Sequence, residues 1–376
     1  MNHGTEPWPE PPQAPQAPRT TGRPGPRRRW AAAVAALVAA VVATGCALSY
    51  DDLFSDTGDV VRFDDDPPQP PARAARPARA PADPLTLMPT GPRPELRIAA
   101  TVPEDGTKVM VTTLAGRKSG FTGRVWLWVP PLYKDPAYAR SGFPVLIALP
   151  GGPGYPTNYW MDPGLKLESS ISAWSREGSS LPFILAMPVL NPATDKGGLY
   201  WDGSDIPGQP KMGTWLTEDV PDLVRATFRT IASRDGWAFM GSSSGGFAGL
   251  KAVLQKPDKF KAVIAGGPDI VPDSPLWHGH PKEKAENSPP ELARRLAERE
   301  GPEVYLAFQV GTKGSDIRNR PLIEDFIRDY GKGPVKTRFQ VDQGGGHDAR
   351  SYVPGMHDGG LIQWISAHMR GPVPTG

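Results

Sequence analysis

Cysteine occurs once in the 376 residues, at Cys46, so no internal disulfide can form; with only six His in the chain, no zinc-cluster domain can be assembled either. Neither sign of charge dominates. The 42 Lys and Arg face 40 Asp and Glu for a formal net charge of +2, which argues against a dedicated nucleic-acid binder, whose domain is strongly basic. No repeat recurs at a fixed period, which excludes solenoid and propeller arrays. What the chain has in excess is proline (46) and glycine (42), and that excess calls for disordered segments or a loop-rich fold. The length fits one large α/β domain or two ordinary domains, and either can bury a sizeable core.

The proline is concentrated: 18 of the 46 lie in the first 95 residues, and none between residues 30 and 61. Residues 1–29 hold Pro, Gln, Gly and Arg with almost nothing apolar, so they are expected to form a disordered basic cytoplasmic tail ending in Arg27-Arg28-Arg29. Residues 30–50 carry no charge at all. As a helix at about 1.5 Å per residue this run is long enough to cross a hydrocarbon core of about 30 Å. The arginines before it and Asp51-Asp52 after it predict a cytoplasmic N-terminus and an exported remainder. Two readings of this run stand side by side. One is an uncleaved membrane anchor helix. The other is a lipoprotein signal, with Ala43-Thr44-Gly45 leading to Cys46 as the lipid attachment point; a cleaved, secreted form or a buried helix is the remaining outcome. Residues 51–95, acidic and then Pro/Ala/Arg-rich, are expected to be a semi-rigid linker. A folded domain is expected over 96–371.

Within that domain, strand-length apolar runs occur at 109–113, 125–129, 145–149, 183–187, 237–240, 262–265, 304–310 and 337–341. Helical spacing occupies 215–230, 246–254, 288–300, 321–330 and 359–369. The first two strands follow each other directly and the later ones alternate with helices. That order predicts an α/β fold: an antiparallel edge leading into a mostly parallel central sheet, with helices on both faces.

The chemical signal lies where the strand at 237–240 runs into a helix. Gly241-Ser242-Ser243-Ser244-Gly245 is a G-x-S-x-G, in which small residues two before and two after a serine let strand and helix approach around a strained turn. Ser243 is the candidate nucleophile, placed near a helix N-terminus whose dipole favours developing negative charge. Acyl transfer also needs an oxyanion hole. One donor is expected to be the backbone N–H of Ser244, and the second Gly152, in the Pro150-Gly151-Gly152 loop that follows the strand at 145–149.

The base must be a histidine. His3 falls in the tail, His278 and His280 in a loop, and His368 on the terminal helix. His347 lies on a Gly-rich loop after the last strand, where a base can reach over the sheet edge; His357 is the reserve. The His278/His280 pair has no carboxylate or Cys companion, so no metal is expected, and no cofactor. The acid that orients the imidazole normally lies between Ser and His in the chain. Asp316, after the strand at 304–310, is the first candidate, and Asp269, Glu324 and Asp325 are the others.

Taken together these segments carry a family resemblance. Phe228-Arg229-Thr230 before the elbow strand, the elbow itself, Pro257-Asp258-Lys259-Phe260 after its helix, and the closing run around His347 with Tyr352 and Trp364 resemble the esterase D and mycolyltransferase-like branch of the α/β-hydrolases. The resemblance covers about 95–370. It implies an α/β-hydrolase fold and a metal-independent Ser-His-Asp enzyme, with Ser243 and His347 in the triad and Gly152 and Ser244 as oxyanion donors. The chain departs from the pattern at Ser244, where many members have Met, and at Pro150-Gly151-Gly152, where a loop containing Asp-Gly is more usual. Family acids are Glu as well as Asp.

The expected function is a serine esterase acting outside the cytoplasm on a small-molecule or glycan-linked ester, held at the membrane by its N-terminal segment. The alternatives are an envelope acyltransferase that moves acyl chains to sugar hydroxyls, a non-catalytic envelope or carbohydrate-binding protein on the same scaffold, and an exported serine peptidase. Trp160, Trp174, Trp201, Trp215 and Trp277 either stack on a sugar or feruloyl ring, line an acyl slot, or pack the core and loop bases.

Overall fold

A computed structural model describes residues 58–61, 83–194 and 199–375. The expected tail, the 30–50 run with Cys46, and most of the linker lie outside the described residues. Among the described residues no helix is long and apolar enough to cross a membrane.

The strands, in chain order, are β1 (Thr86–Leu87), β2 (Arg97–Thr101), β3 (Lys108–Ala115), β4 (Thr122–Trp128), β5 (Val145–Leu149), β6 (Ile184–Pro188), β7 (Thr230–Ile231), β8 (Trp237–Ser242), β9 (Ala262–Gly266), β10 (Val304–Gly311) and β11 (Val335–Asp342). Nine of them form one sheet in the order β11-β10-β9-β8-β5-β6-β4-β3-β2. From β6 to β11 every neighbouring pair is parallel; β4, β3 and β2 add as an antiparallel edge. The expected mostly parallel sheet with an antiparallel edge is therefore present, and each of the eight expected strands is found within a few residues of its predicted bounds.

The reason lies in burial. Every residue of β5, β6, β8, β9 and β10 is buried, so both faces of these strands are covered, as continuous apolar runs such as Val-Leu-Ile-Ala-Leu in β5 require. The covering helices are α1 (Leu167–Arg176), α2 (Val220–Thr227), α3 (Ser244–Gln255), α4 (Pro281–Glu286), α5 (Pro289–Glu298), α6 (Asp316–Tyr330), α7 (Ala349–Asp358) and α8 (Leu361–Ala367). Helix α2 is entered through a π-helical turn at Trp215–Asp219 and stops at Thr227, so the expected helix over 215–230 ends early and gives way to β7.

The ordered fold also reaches further toward the N-terminus than the expected linker boundary at 95. β1 pairs antiparallel with β7, and Thr86 Oγ1 accepts the Gly142 N–H at 2.8 Å. Asp83 is buried and accepts from Arg370 at 2.8 Å. Residues 58–61 lie along the edge strand β2, where Val61 N–H donates to the Leu96 carbonyl and Ile98 N–H to that of Asp59. Short apolar stretches inside a Pro-rich background thus pair with open backbone, which composition alone does not reveal.

Helix α1 was not anticipated. It buries Leu167, Ile171 and Trp174, and with them Glu168, which has no exposed surface. Neither carboxyl oxygen of Glu168 finds a hydrogen-bond partner. Burial, reinforced by the charges of Asp162, Asp105 and Glu104, pushes its pKa up to about 8. The native state therefore holds a proton that the unfolded chain releases above its ordinary value of 4.5, so stability is full below that value and falls as the pH rises toward 8. Replacing Glu168 by Met is expected to raise stability by about 3 kcal/mol at pH 7, at about 1.4 kcal/mol per pKa unit, and to have a much smaller effect at pH 4. Urea unfolding at the two pH values measures it; an equal effect at both would show that Glu168 is not a buried neutral acid.

Candidate active site

The site-bearing loops all leave the C-terminal ends of adjacent parallel strands, where α/β sheets open a crevice. Gly241 of β8 stands level with Leu149 of β5, Ser242 with Gly266 of β9, and Gly266 with Gln309 of β10. The loops that follow these ends are thereby brought side by side.

The turn after β8 has Ser243 at its apex, with φ 52° and ψ −124°. A serine adopts such backbone angles only where its surroundings enforce them. Here the Ser243 N–H is held by the Gly266 carbonyl at 2.8 Å, and its own carbonyl accepts from Phe247 at 2.9 Å as α3 begins. The flanking glycines have no room for a side chain. A Cβ on Gly241 would lie 2.6 Å from the carbonyl carbon of Gly245, and one on Gly245 would lie 2.5 Å from the Leu149 carbonyl oxygen. The small residues of the G-x-S-x-G are thus required by backbone against backbone.

The loop after β5 packs on this turn. A Cβ on Gly151 would meet Ser243 Cβ at 3.2 Å. Ser244 Oγ donates to the Gly152 carbonyl at 2.9 Å, and Gly152 has φ +63°. The two candidate oxyanion donors therefore sit on segments tied directly to each other. The loop is further pinned by three consecutive side chains: Asn158 donates to the carbonyls of Ala148 and Pro188, Trp160 donates to that of Leu149, and the Tyr159 hydroxyl accepts the Gly151 N–H at 2.6 Å and hydrogen-bonds Ser242 Oγ.

His347, on the loop between β11 and α7, has its Nδ1 2.5 Å from Asp316 Oδ1. Asp316 is wholly buried at the first position of α6 and receives two further donors: the Gly311 N–H on Oδ2 at 2.5 Å and the Tyr352 hydroxyl, 2.8–2.9 Å from both oxygens. Burial and the Asp316 charge push the Tyr352 hydroxyl well above its ordinary pKa, so it stays protonated as a donor. Gly267 makes the space for this cluster: a Cβ there would lie 2.7 Å from His347 Nδ1 and closer still to Asp316 Oδ1 and the Tyr352 hydroxyl.

The other candidates go elsewhere. Asp269 lies close enough for His347 to act on it electrostatically, but burial, Asp273 and Asp202 raise its pKa to about 6, and His347 Nδ1 is engaged by Asp316 instead. Glu324 and Asp325 point to solvent on α6, each paired with an arginine. His357 stacks on Trp174 at 4.9 Å with Ser179 Oγ on its Nε2. His278 and His280 both precede α4, and no group of three or more His, Cys, Asp or Glu among the described residues is placed to hold a metal ion. The five tryptophans are buried; Trp160, Trp201, Trp215 and Trp277 each donate their indole N–H to a protein oxygen, so they pack the core and loop bases instead of presenting open stacking faces. Gly267, Gly311 and Tyr159 were not anticipated. The Gly266-Gly267 pair directly after an apolar strand was the available signal for the first.

Three comparisons with known proteins bear on this geometry. Residues 139–367, more than half of the chain, match the family described as "Putative esterase". An uncharacterized protein of Corynebacterium glutamicum is 26% identical over 180 residues, which cover 48% of this chain and 39% of that protein; the chain thus spans well under half of that relative's length. Among solved structures, a ferulic acid esterase superposes with a TM-score of 0.56 at 19% identity, over 70% of this chain and 99% of that one. The S-formylglutathione hydrolase of Agrobacterium tumefaciens gives 0.56 at 19% identity, over 73% and 99%. At these identities the likeness is one of fold.

Tyr352→Phe removes one of three donors from a fully buried carboxylate, which is expected to cost about 1–3 kcal/mol of stability. If the Asp316–His347 pair is used in turnover, kcat should also fall about tenfold. Thermal unfolding and steady-state kinetics of the same preparation read both effects; an unchanged Tm would show that the hydroxyl does not support Asp316.

Proposed function

Since the chain belongs to this esterase family of the α/β-hydrolase superfamily, we propose that it is a serine carboxylic-ester hydrolase working through an acyl-enzyme on Ser243. The observation that carries the reading is the buried, three-donor Asp316 held against His347 Nδ1, on the same sheet edge as the strained Ser243 turn.

The roles follow from the chemistry available. With Nδ1 given to Asp316, His347 has Nε2 left to take the Ser243 proton as the hydroxyl attacks the ester carbonyl. The tetrahedral oxyanion is received by the backbone N–H groups of Ser244, at the start of α3, and of Gly152. His347 then protonates the leaving alcohol, and the same base activates water to release the acid. Asp316 fixes the tautomer and stabilises the imidazolium. The chemistry uses no metal and no cofactor. The uncharged 30–50 run supports an exported, membrane-held location, and Cys46 a lipid attachment; an intact Met1 terminus in membrane fractions would argue against the lipid.

A fluorophosphonate probe is expected to label the wild-type protein at Ser243, located by peptide mass spectrometry, and Ser243→Ala to lose both labelling and about 10⁶-fold of turnover. p-Nitrophenyl esters of rising chain length, a feruloyl ester and an S-acyl thioester define the acyl and leaving groups. Retention of activity within tenfold in Ser243→Ala would sink the assignment. Labelling with acyl transfer to added sugar but negligible hydrolysis would replace it by the acyltransferase, and absence of labelling by the binding protein.

A further inference from the structure

The loop after β5 begins at Pro150 and returns, about eight residues later, to brace its own start. Asn158 and Trp160 attach to the carbonyls at the end of β5, and Pro188 of β6 is also engaged by Asn158. Tyr159, between them, does something different. Its hydroxyl accepts the Gly151 N–H and also hydrogen-bonds Ser242 Oγ, on the residue before the candidate nucleophile. It therefore bridges the two segments that supply the proposed oxyanion donors.

Two facts sharpen this. Gly151 is packed so tightly on the elbow that an added Cβ would meet the Ser242 carbonyl oxygen at 3.1 Å and Ser243 Cβ at 3.2 Å. Its N–H is consumed by Tyr159, which leaves the next N–H in the loop, that of Gly152, for a substrate oxygen. Gly152 itself is held through its carbonyl, which accepts from Ser244 Oγ. Tyr159 supplies the other hold, one residue upstream.

We infer that Tyr159 is a positioning residue of the oxyanion site, its hydroxyl clamping the Pro150–Gly152 loop to the Ser242–Ser244 turn so that the Gly152 and Ser244 N–H groups keep the spacing a tetrahedral oxyanion requires. The inference rests on the serine esterase reading. The clamp joins the Gly151 N–H to the Ser242 hydroxyl, on the two segments that carry the proposed donors, so its effect is expected on the transition state and not on ground-state binding. Burial holds the Tyr159 pKa above its ordinary value, so the clamp stays protonated across the range in which esterases work.

Tyr159→Phe keeps the ring and deletes the bridge. The expected result is a fall in kcat of about 10- to 100-fold, below the 10²–10³ typical of deleting an oxyanion donor outright, with KM unchanged within twofold. Affinity for a trifluoromethyl ketone bearing the preferred acyl group, whose adduct with Ser243 carries the oxyanion, should weaken by the same factor as kcat. Ser242→Ala cuts one arm and should act in the same direction but less, and the double variant should lose little more than Tyr159→Phe alone, since both act through one network. A kcat within twofold of wild type, a loss confined to KM, or a fall in kcat with undiminished ketone affinity would each overturn the inference. If Tyr159→Phe does not fold, Ser242→Ala decides by the same criteria. Failure of the underlying reading is separate: it shows as activity surviving in Ser243→Ala, whatever Tyr159→Phe does.

Discussion

The arrangement depends on one close approach, that of β8 and α3 across Gly241 and Gly245. With hydrogens in place of side chains at these two positions, backbone touches backbone, and the chain between them reverses within three residues. The reversal is what forces Ser243 into φ 52°, ψ −124°. A strained residue persists only where its neighbours over-determine it. Here they are the Gly266 carbonyl on its N–H, the first turn of α3 on its carbonyl, and the loop after β5 against its Cβ. The strain at the apex and the rigidity of the sheet beneath it are therefore one feature.

The register of the sheet extends this constraint to the remaining parts of the site. Leu149, Gly241, Ala265 and Phe308 occupy one level on four adjacent strands, with Ser242, Gly266 and Gln309 on the next. A slip of one residue in any pair would turn side chains to the other face and break the alignment of the loops that follow. The full burial of these strands on both faces makes such a slip costly, since it would misfit close-packed side chains on both sides of the sheet. The hydrophobic core thus fixes the geometry of the candidate site at long range, while Asn158, Tyr159 and Trp160 fix it locally by side-chain hydrogen bonds.

The sequence disclosed the parts of this protein in which one physical requirement dominates. Fully buried strands demand unbroken apolar runs, so β5, β8, β9 and β10 stood out, and the elbow demands glycine on both sides of a serine. Elements with mixed requirements were hidden. β2 is an edge strand, Arg-Ile-Ala-Ala-Thr, with no alternation strong enough to mark it. Helix α7 carries Pro354 and a Gly-rich approach, both of which argue against a helix; Asp348 starts it by accepting from the Ser351 N–H. The linker boundary was set by proline density, yet Thr86 and Leu87 find a partner strand in β7, far along the chain. Tyr159 left no trace in the sequence, because its importance comes from where a loop folds back, which is a tertiary fact.

Asp316 and Glu168 show what separates a buried carboxylate supplied with donors from one left without them. Both are completely buried, and both stand in the first turn of a helix, where the dipole favours negative charge equally. Burial and helix position therefore cannot distinguish them. The difference is the number of donors aimed at the oxygens. Asp316 receives a backbone N–H, a tyrosine hydroxyl and an imidazole. Glu168 receives none from any other residue and faces other acids, so burial prevails and the proton stays on to about pH 8. Each donor on Asp316 required its own accommodation elsewhere: Gly311 at the end of β10, Tyr352 one turn into α7, and Gly267 to leave the space. A buried charge whose surroundings have been shaped at three separate points of the chain is one that the fold is built to keep, whereas a buried acid with no donors is one that it merely tolerates.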